Sequence, residues 1–142
     1  SWVSSEIGMH FLVFLFQNGD IVKVVYLSLT GKTRQFVKKL GWDFIEISKK
    51  NPTVQMKEPY IVITPTYGEQ VAHFFYEYID FEENRNLLMG VAGSGNRNFN
   101  TSFCSNSKEL ARRYDVPLLH CFENQGTDKD VQILIEKVRE IG

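Results

Sequence analysis

The sequence contains few cysteines. The two present in 142 residues, Cys104 and Cys121, cannot form the several disulfide bridges that hold a small secreted domain together. A reduced, cytoplasmic setting is therefore the default expectation. The chain has the length of one domain and is long enough to bury a hydrophobic core without such bridges.

An excess of charge of either sign is also missing. The chain has 16 Lys and Arg against 17 Asp and Glu, which gives a formal net charge of −1. A nearly neutral chain offers no electrostatic attraction for nucleic acid or for an anionic membrane. We therefore expect neither nucleic acid nor a membrane as a partner.

The apolar run at residues 9–16 is too short to span a bilayer, and it lacks the basic start and cleavage site of a signal peptide. We expect residues 1–20 to be an N-terminal extension, with Met9 as a candidate natural start, and residues 21–142 to form the domain. In an alternative interpretation, Asn18-Gly19 is the turn of a β-hairpin that pairs the apolar run with residues 21–27.

Signatures of hydrolytic and metal-dependent catalysis are absent from the sequence. There is no Gly-x-Ser-x-Gly motif, and the three histidines, His10, His73 and His120, lack the spacing of paired metal ligands. We expect core or surface roles for the histidines and no metal site. Cys104 is interpreted as a buried small residue, with a position near a ligand as the alternative, and Cys121 as structural.

What the sequence does contain is an alternation of apolar strand-like segments with segments of helical spacing. The predicted strands are residues 21–27, 42–47, 60–64, 87–92 and 117–122. The predicted helices are residues 34–40, 71–79, 105–114 and a closing helix capped by Thr127, while residues 48–59 and 80–86 are predicted loops. This alternation predicts an α/β fold, a flavodoxin-like five-stranded parallel sheet of order 2-1-3-4-5 with helices on both faces.

A hydroxyl-rich turn follows the first strand. The segment Ser-Leu-Thr-Gly-Lys-Thr, residues 28–33, leads into a helix whose first N–H groups suit a phosphate. The alternative is an ordinary strand–turn–helix with a threonine N-cap. A nucleotide P-loop is excluded, because its first glycine would have to be at Tyr26.

Two further glycine-bearing loops follow the third and fourth strands. Residues 65–70 contain Tyr67 beside Gly68, and residues 93–100 contain polar donors together with Phe99. Loops after strands one, three and four meet at one edge of such a sheet. A phosphate pocket, flat rings and accessible peptide edges together predict a flavin mononucleotide (FMN) site, with loop packing as the alternative role for each ring.

Four segments together resemble the NrdI family of flavodoxin-like FMN proteins. They are Ser-Leu-Thr-Gly-Lys-Thr, Pro-Thr-Tyr-Gly, Gly-Val-Ala-Gly-Ser-Gly-Asn-Arg-Asn-Phe and Phe-Glu-Asn-Gln-Gly-Thr-Asp-Lys-Asp-Val. The resemblance covers approximately residues 24–142. The expected cofactor-binding residues are Ser28, Leu29, Thr30, Gly31, Lys32, Thr33, Thr66, Tyr67, Gly68, Glu69, Ser94, Gly95, Asn96, Asn98, Phe99 and Phe103.

The resemblance implies a role in class Ib ribonucleotide reductase systems. The reduced protein would give electrons to O₂ and pass the oxidant to the small subunit (NrdF), where a dimanganese–tyrosyl radical cofactor is assembled. It also implies an electron-donating reductase as a partner, and an accessory redox role rather than a stand-alone enzyme.

The chain departs from the family pattern at two positions. Lys32 stands where the family usually has Asn, and a lysine still favours a phosphate. Glu69 and Gln70 stand where glycines are common, and a carboxylate near the ring would oppose an anionic reduced flavin.

Two other functions remain open. A general flavodoxin-type electron carrier is one, although such carriers are typically strongly acidic. A flavin-free receiver domain is the other, but it needs clustered aspartates at the strand ends, which are not found after Leu27, Thr64 or Ala92.

Overall fold

The computed structural model describes residues 22–48, 53–66, 69–96 and 104–141, except for the side chains of Glu69 and Gln70. Five strands and five helices lie within these ranges. The strands are β1 (Lys23–Tyr26), β2 (Phe44–Glu46), β3 (Tyr60–Thr64), β4 (Leu88–Gly95) and β5 (Leu118–Glu123). The helices are α1 (Lys32–Leu40), α2 (Glu69–Ile79), α3 (Asn84–Leu87), α4 (Ser105–Tyr114) and α5 (Asp128–Ile141).

The strands form one parallel sheet in the order β2-β1-β3-β4-β5, which confirms the predicted topology. Within it, β1 is paired on both edges: Val24 lies opposite Phe44 of β2 and opposite Ile61 of β3. No edge of β1 is therefore left for the hairpin alternative. The expected extension, residues 1–20, lies outside the described residues.

Helices cover both faces of the sheet, and each face has its own apolar core. Neighbouring residues of β1 point to opposite cores, Val24 to one and Val25 to the other, and both are completely buried. In the first core, Phe36 of α1 stacks on Phe122 of β5 with ring centroids 3.8 Å apart. In the second core, α2 and α4 supply side chains such as Phe75. This arrangement explains why the strand sequences are apolar on both faces.

The predicted end of β4 at residue 92 is wrong, because the strand continues to Gly95. Gly93 pairs with Thr64 of β3 and with Cys121 of β5. A Cβ at Gly93 would lie 2.2 Å from the hydroxyl oxygen of Ser107, so α4 crosses the strand too closely for any larger residue. The glycine that suggested a loop is therefore required by helix–sheet packing.

The prediction of a charged loop at residues 80–86 is wrong for its last three residues, since the short helix α3 begins at Asn84. Asn84 is fully buried and its side chain makes three hydrogen bonds. The amide oxygen accepts from the Met56 N–H at 2.6 Å, and the amide nitrogen donates to the carbonyls of Val54 and Tyr78 at 2.9 and 2.8 Å. None of the helices in the described part of the chain has the length and apolar character needed to cross a bilayer.

Candidate functional site

A cavity of about 230 Å³ lies at the carboxyl edge of the sheet, where the segments after β1, β3 and β5 meet the end of β4. This is the edge at which open α/β sheets bind their ligands. Among the described residues that line the cavity, none carries a carboxylate and Lys32 alone is charged. The lining residues are Leu29, Thr30, Lys32, Thr33, Pro65, Thr66, Ser94, Gly95, Asn96 and Asn124.

The turn after β1 is organised around Ser28 and Gly31. Gly31 is the N-cap of α1 in a left-handed conformation, with φ 89° and ψ −9°, and as a glycine it provides no side-chain cap of its own. The structure therefore differs from the alternative of a threonine N-cap. The Ser28 hydroxyl oxygen accepts the N–H groups of Gly31 and Arg34 at 3.0 and 3.4 Å. Ser28 thus holds the turn together, and it does not itself line the cavity.

Arg34 ties the first turn of α1 to the neighbouring strand β2. Its guanidinium forms two bonds to the Glu46 carboxylate, Nε to Oε1 at 2.7 Å and Nη2 to Oε2 at 3.0 Å, and the Tyr26 hydroxyl donates to the same carboxylate at 2.7 Å. The hydrogen bonds from Arg34 hold the pKa of Glu46 below its usual value. Burial, together with the hydrogen bond to Glu46, raises the pKa of Tyr26 to about 12. The helix start beside the cavity is fixed by these contacts.

Hydroxyl groups connect three segments at the buried side of the cavity. The hydroxyls of Thr33 in α1 and Ser94 in β4 lie 3.2 Å apart, with only 3% and 5% of these residues exposed. The Thr66 hydroxyl, which follows β3, donates to the Ser94 carbonyl at 2.8 Å. These contacts bring the predicted first, second and third loops together at one place.

A fourth segment, the turn between β5 and α5, completes the described part of the cavity. The Asn124 N–H donates to the Gly95 carbonyl at 3.1 Å, and the Lys32 ammonium donates to the Asn124 side-chain oxygen at 3.3 Å. Sequence reasoning missed Asn124 because it considered only the loops after strands one, three and four. The predicted strand order could have identified this residue, because β5 is the neighbour of β4 and the loop after β5 therefore emerges beside the end of β4.

The structure brings half of the predicted site residues to this cavity. The predicted residues that line it are Leu29, Thr30, Lys32, Thr33, Thr66, Ser94, Gly95 and Asn96. Ser28 and Gly31 lie in the adjoining turn without lining the cavity, while Pro65 and Asn124 are additions that were not predicted. The backbone of Glu69 begins α2, but its side chain is not described. The remaining predicted residues, Tyr67, Gly68, Asn98, Phe99 and Phe103, lie outside the described residues.

Cys104 is completely buried at the start of α4, as expected for a small core residue. Its thiol lies 3.5 Å from the Gly93 carbonyl, and the interaction with Cys121 and burial both raise the pKa of the thiol well above its usual value. Because the thiolate is the reactive form, this environment suppresses its chemistry.

The histidines of the described region have ordinary structural surroundings. His73 is exposed and packs edge-on against Tyr76, while His120 lies 2.8 Å from the Asp130 carboxylate. Within the described ranges, no cluster of three or more histidine, cysteine or acidic side chains could hold a metal ion. His10 lies outside those ranges.

Comparison with protein families decides among the flavodoxin-like groups. The family described as "NrdI Flavodoxin like" matches residues 24–136, which is most of the chain. The chain belongs to the NrdI flavodoxin-like family. A curated relative, protein NrdI of Bartonella tribocorum, is 42% identical over 117 residues, covering 76% of this chain and 86% of the relative.

Solved structures support the same fold at much lower sequence identity. Oxidised flavodoxin 2 from Bacillus cereus matches with a TM-score of 0.60 and 14% identity, covering 85% of this chain and 97% of that one. Fusobacterium nucleatum flavodoxin bound to flavin mononucleotide matches with a TM-score of 0.56 and 13% identity, covering 84% and 93%. At such low identity these neighbours establish the flavodoxin-like architecture and no more.

Proposed function

We propose that this chain is an FMN-binding redox protein that, when reduced, supplies oxidant from O₂, as superoxide or peroxide, to a class Ib ribonucleotide reductase. The oxidant serves assembly of the dimanganese–tyrosyl radical cofactor in the reductase small subunit. The observation that carries this proposal is a cavity lined by polar groups and one lysine, which suits an anion. It lies at the ligand-binding edge of a flavodoxin-like sheet, in a chain of the NrdI family. The proposed setting is the cytoplasm.

The donor set of the cavity fits the phosphate of FMN. Helix α1 begins at the cavity, which places the positive end of its dipole and the N–H groups of Lys32 and Thr33 there, while the Arg34 N–H is bonded to Ser28. Thr30 and Thr33 add hydroxyls and Lys32 adds a positive charge, while the Thr66 hydroxyl already donates to the Ser94 carbonyl. With no carboxylate among the described lining residues, a phosphate meets attraction without a fixed negative charge opposing it.

The cavity is small for the whole of FMN. We propose that the described residues hold its phosphate and polyol chain. About 230 Å³ is less than the 300 Å³ or more of typical ligand pockets. We propose that the flat ring lies beyond this cavity, between the loops of Tyr67 and Phe99. In that arrangement Gly68 offers a backbone that can change orientation, because it lacks a Cβ.

A bound, reduced flavin would supply electrons to O₂, and the protein's own groups would hold the flavin and limit its contact with solvent. We propose that the rim residues Glu69, Asn98 and Asn100 dock on the small subunit, so that the oxidant passes directly between the two proteins. An electron-donating reductase would return the protein to its reduced form. In this scheme the chain is an accessory redox protein and not a stand-alone enzyme.

Two measurements test the proposal in sequence. The purified full chain should carry or take up one noncovalent FMN, seen as a visible flavin spectrum that is released by denaturation. The reduced protein with O₂ should then generate tyrosyl radical in a manganese-loaded class Ib small subunit, detected by electron paramagnetic resonance. A known NrdI protein is the positive control. If that control activates the subunit while this chain binds FMN but does not, the assigned role is wrong.

A general flavodoxin-type electron carrier is the second candidate, and the fold alone is compatible with it. The net charge of −1 favours the first candidate, since typical carriers use strong acidity to dock on basic partners. A flavin-free receiver domain is disfavoured, because the described lining residues include no acidic side chain. The electron-carrier function would be favoured if the reduced protein passes single electrons to a redox partner but forms no tyrosyl radical in the class Ib small subunit.

A further inference from the structure

We infer that Asn124 is a positioning residue that holds the Lys32 ammonium at the mouth of the cavity and so sets the preference of the site for a phosphate-bearing flavin. The inference rests on the proposed function, because it concerns the same flavin site. It assigns a role in ligand selection to the turn between β5 and α5, a segment that sequence reasoning did not include in the site.

The first step of the argument concerns Lys32. It is the one charged side chain among the described residues lining the cavity, and it stands at the first position of α1. A lysine side chain is long and flexible, and this residue is exposed, so its charge would be spread over many positions if nothing held it. Its ammonium lies 3.3 Å from the side-chain oxygen of Asn124, which belongs to the turn between β5 and α5.

The second step concerns the support of Asn124. Its backbone is left-handed, with φ 53°, a conformation that asparagine tolerates better than most residues. Its N–H is bonded to the Gly95 carbonyl at 3.1 Å, which ties the residue to the end of β4. The next bond of the turn runs from the Gly126 N–H to the Glu123 carbonyl at 2.8 Å.

The turn itself is pressed against the core. A Cβ at Gly126 would lie 2.6 Å from the ring of Phe36, so the backbone here approaches the aromatic stack directly. Asn124 is therefore presented from a packed turn and not from a free loop. Because its backbone is held in this way, the Asn124 side chain can hold the flexible Lys32 ammonium in place. This ammonium carries the charge that a phosphate would meet.

The consequence is a preference between ligands. FMN and riboflavin share the ring and the polyol chain and differ in the phosphate. An ammonium held at the cavity mouth favours FMN and leaves riboflavin nearly unaffected. An exposed pair of opposite charges contributes up to about 1 kcal/mol, which corresponds to about a fivefold change in affinity.

The test measures the dissociation constants of FMN and riboflavin by flavin fluorescence titration on the full chain. Asn124→Gly removes the amide but permits the left-handed backbone. Gln125→Gly is the matched control, since Gln125 is an exposed neighbour in the same turn that does not line the cavity. Lys32→Met removes the charge while keeping most of the side-chain length, and the double variant completes a thermodynamic cycle.

We expect Asn124→Gly to weaken FMN about two- to threefold, within the fivefold limit set by Lys32, and to leave riboflavin unchanged. The loss should disappear in the Lys32→Met background, and Gln125→Gly should bind both flavins as the unmodified chain does. Thermal unfolding of each variant confirms that the turn still folds.

Three results would overturn the inference while leaving the proposed function intact. Equal loss of FMN and riboflavin would mean that Asn124 only shapes the turn. An undiminished FMN loss in the Lys32→Met background would mean that the amide acts on the phosphate directly. Unchanged FMN affinity in Asn124→Gly would mean that the ammonium needs no support. If the unmodified chain binds neither flavin, the proposed function fails and this inference fails with it.

Discussion

The two left-handed glycines at the ends of α1 allow the phosphate-binding role of the first turn to be tested apart from helix stability. Gly31 has φ 89° and Gly41 has φ 73°, and each terminates the same helix. Among the described residues, a Cβ at Gly41 would meet nothing within 4 Å, and one at Gly31 would meet the Arg34 guanidinium alone, at 3.8 Å. Substitution by alanine therefore strains the backbone at either site without a steric clash.

Neither alanine variant should lose more stability than the cost of one strained residue. A non-glycine residue in the left-handed region costs roughly 1–2 kcal/mol. For a chain of this length that corresponds to a lower melting temperature by about 3–6 °C. Both variants should therefore fold, and the melting temperature of Gly31→Ala should fall by no more than that of Gly41→Ala, which differential scanning fluorimetry of the flavin-free protein would measure.

FMN affinity should separate the two variants. In the flavin-free protein, the turn at Gly31 can relieve its strain by changing conformation, but phosphate binding requires the original turn. Strain that is relieved in the flavin-free protein returns on binding, so full relief of about 1–2 kcal/mol would lower the affinity about 5- to 30-fold, and partial relief would lower it less. Gly31→Val should have a larger effect, because a β-branched residue is especially unfavourable at positive φ. Gly41 lies at the far end of α1, so Gly41→Ala should bind FMN within about twofold of the unmodified chain.

Fluorescence titration of FMN with the three variants is the assay. The reasoning is refuted if Gly31→Ala keeps full affinity while its melting temperature falls less than that of Gly41→Ala, since a relaxed turn would then bind FMN as well as the original one and the phosphate would lie elsewhere. It is also refuted if Gly41→Ala weakens FMN as much as Gly31→Ala, because the effect would then reflect helix stability alone.

Two further predictions concern the scaffold. Asn84→Ala should lower the free energy of unfolding by about 3–5 kcal/mol, because it leaves the buried Met56 N–H without its side-chain partner and removes one hydrogen bond each from the carbonyls of Val54 and Tyr78; chemical denaturation would measure this, and a loss below about 1 kcal/mol would contradict the buried hydrogen-bond network. Burial disfavours the charged form of Asp130, but hydrogen bonds from His120 and Thr127 outweigh it and lower the pKa of Asp130 below its usual value. The stabilisation from this carboxylate should thus be present at neutral pH and lost as the pH falls through about 4 and below. Asp130→Asn should destabilise the protein at pH 7 and have a diminishing effect toward pH 3, and a pH-independent effect would show that charge is not involved.

The sequence by itself determined the elements and their order. Apolar residues on both faces of the segments around Val24 and Ile61 require strands covered on two sides, and only a parallel sheet with helices on both faces provides that cover. The sequence also showed where the ligand-binding edge lies. It has a hydroxyl-rich turn at residues 28–33 and polar segments after the third and fourth strands. Their polar and glycine-rich composition suits the edge where the strands end.

The tertiary structure decided what the local pattern could not contain. Ser94 and Gly95 have loop-like composition, yet they continue β4 because β5 pairs with both of them. Asn84 lies in a segment whose charged sequence predicts a loop. Its side-chain amide is nevertheless buried, because the Met56 N–H and the carbonyls of Val54 and Tyr78 form hydrogen bonds with it. Asn124 reaches Lys32 although the two are 92 residues apart. Each of these outcomes depends on which groups long-range packing brings together, because burial of a polar group or close approach of two backbones is stable only when the partner is already in place.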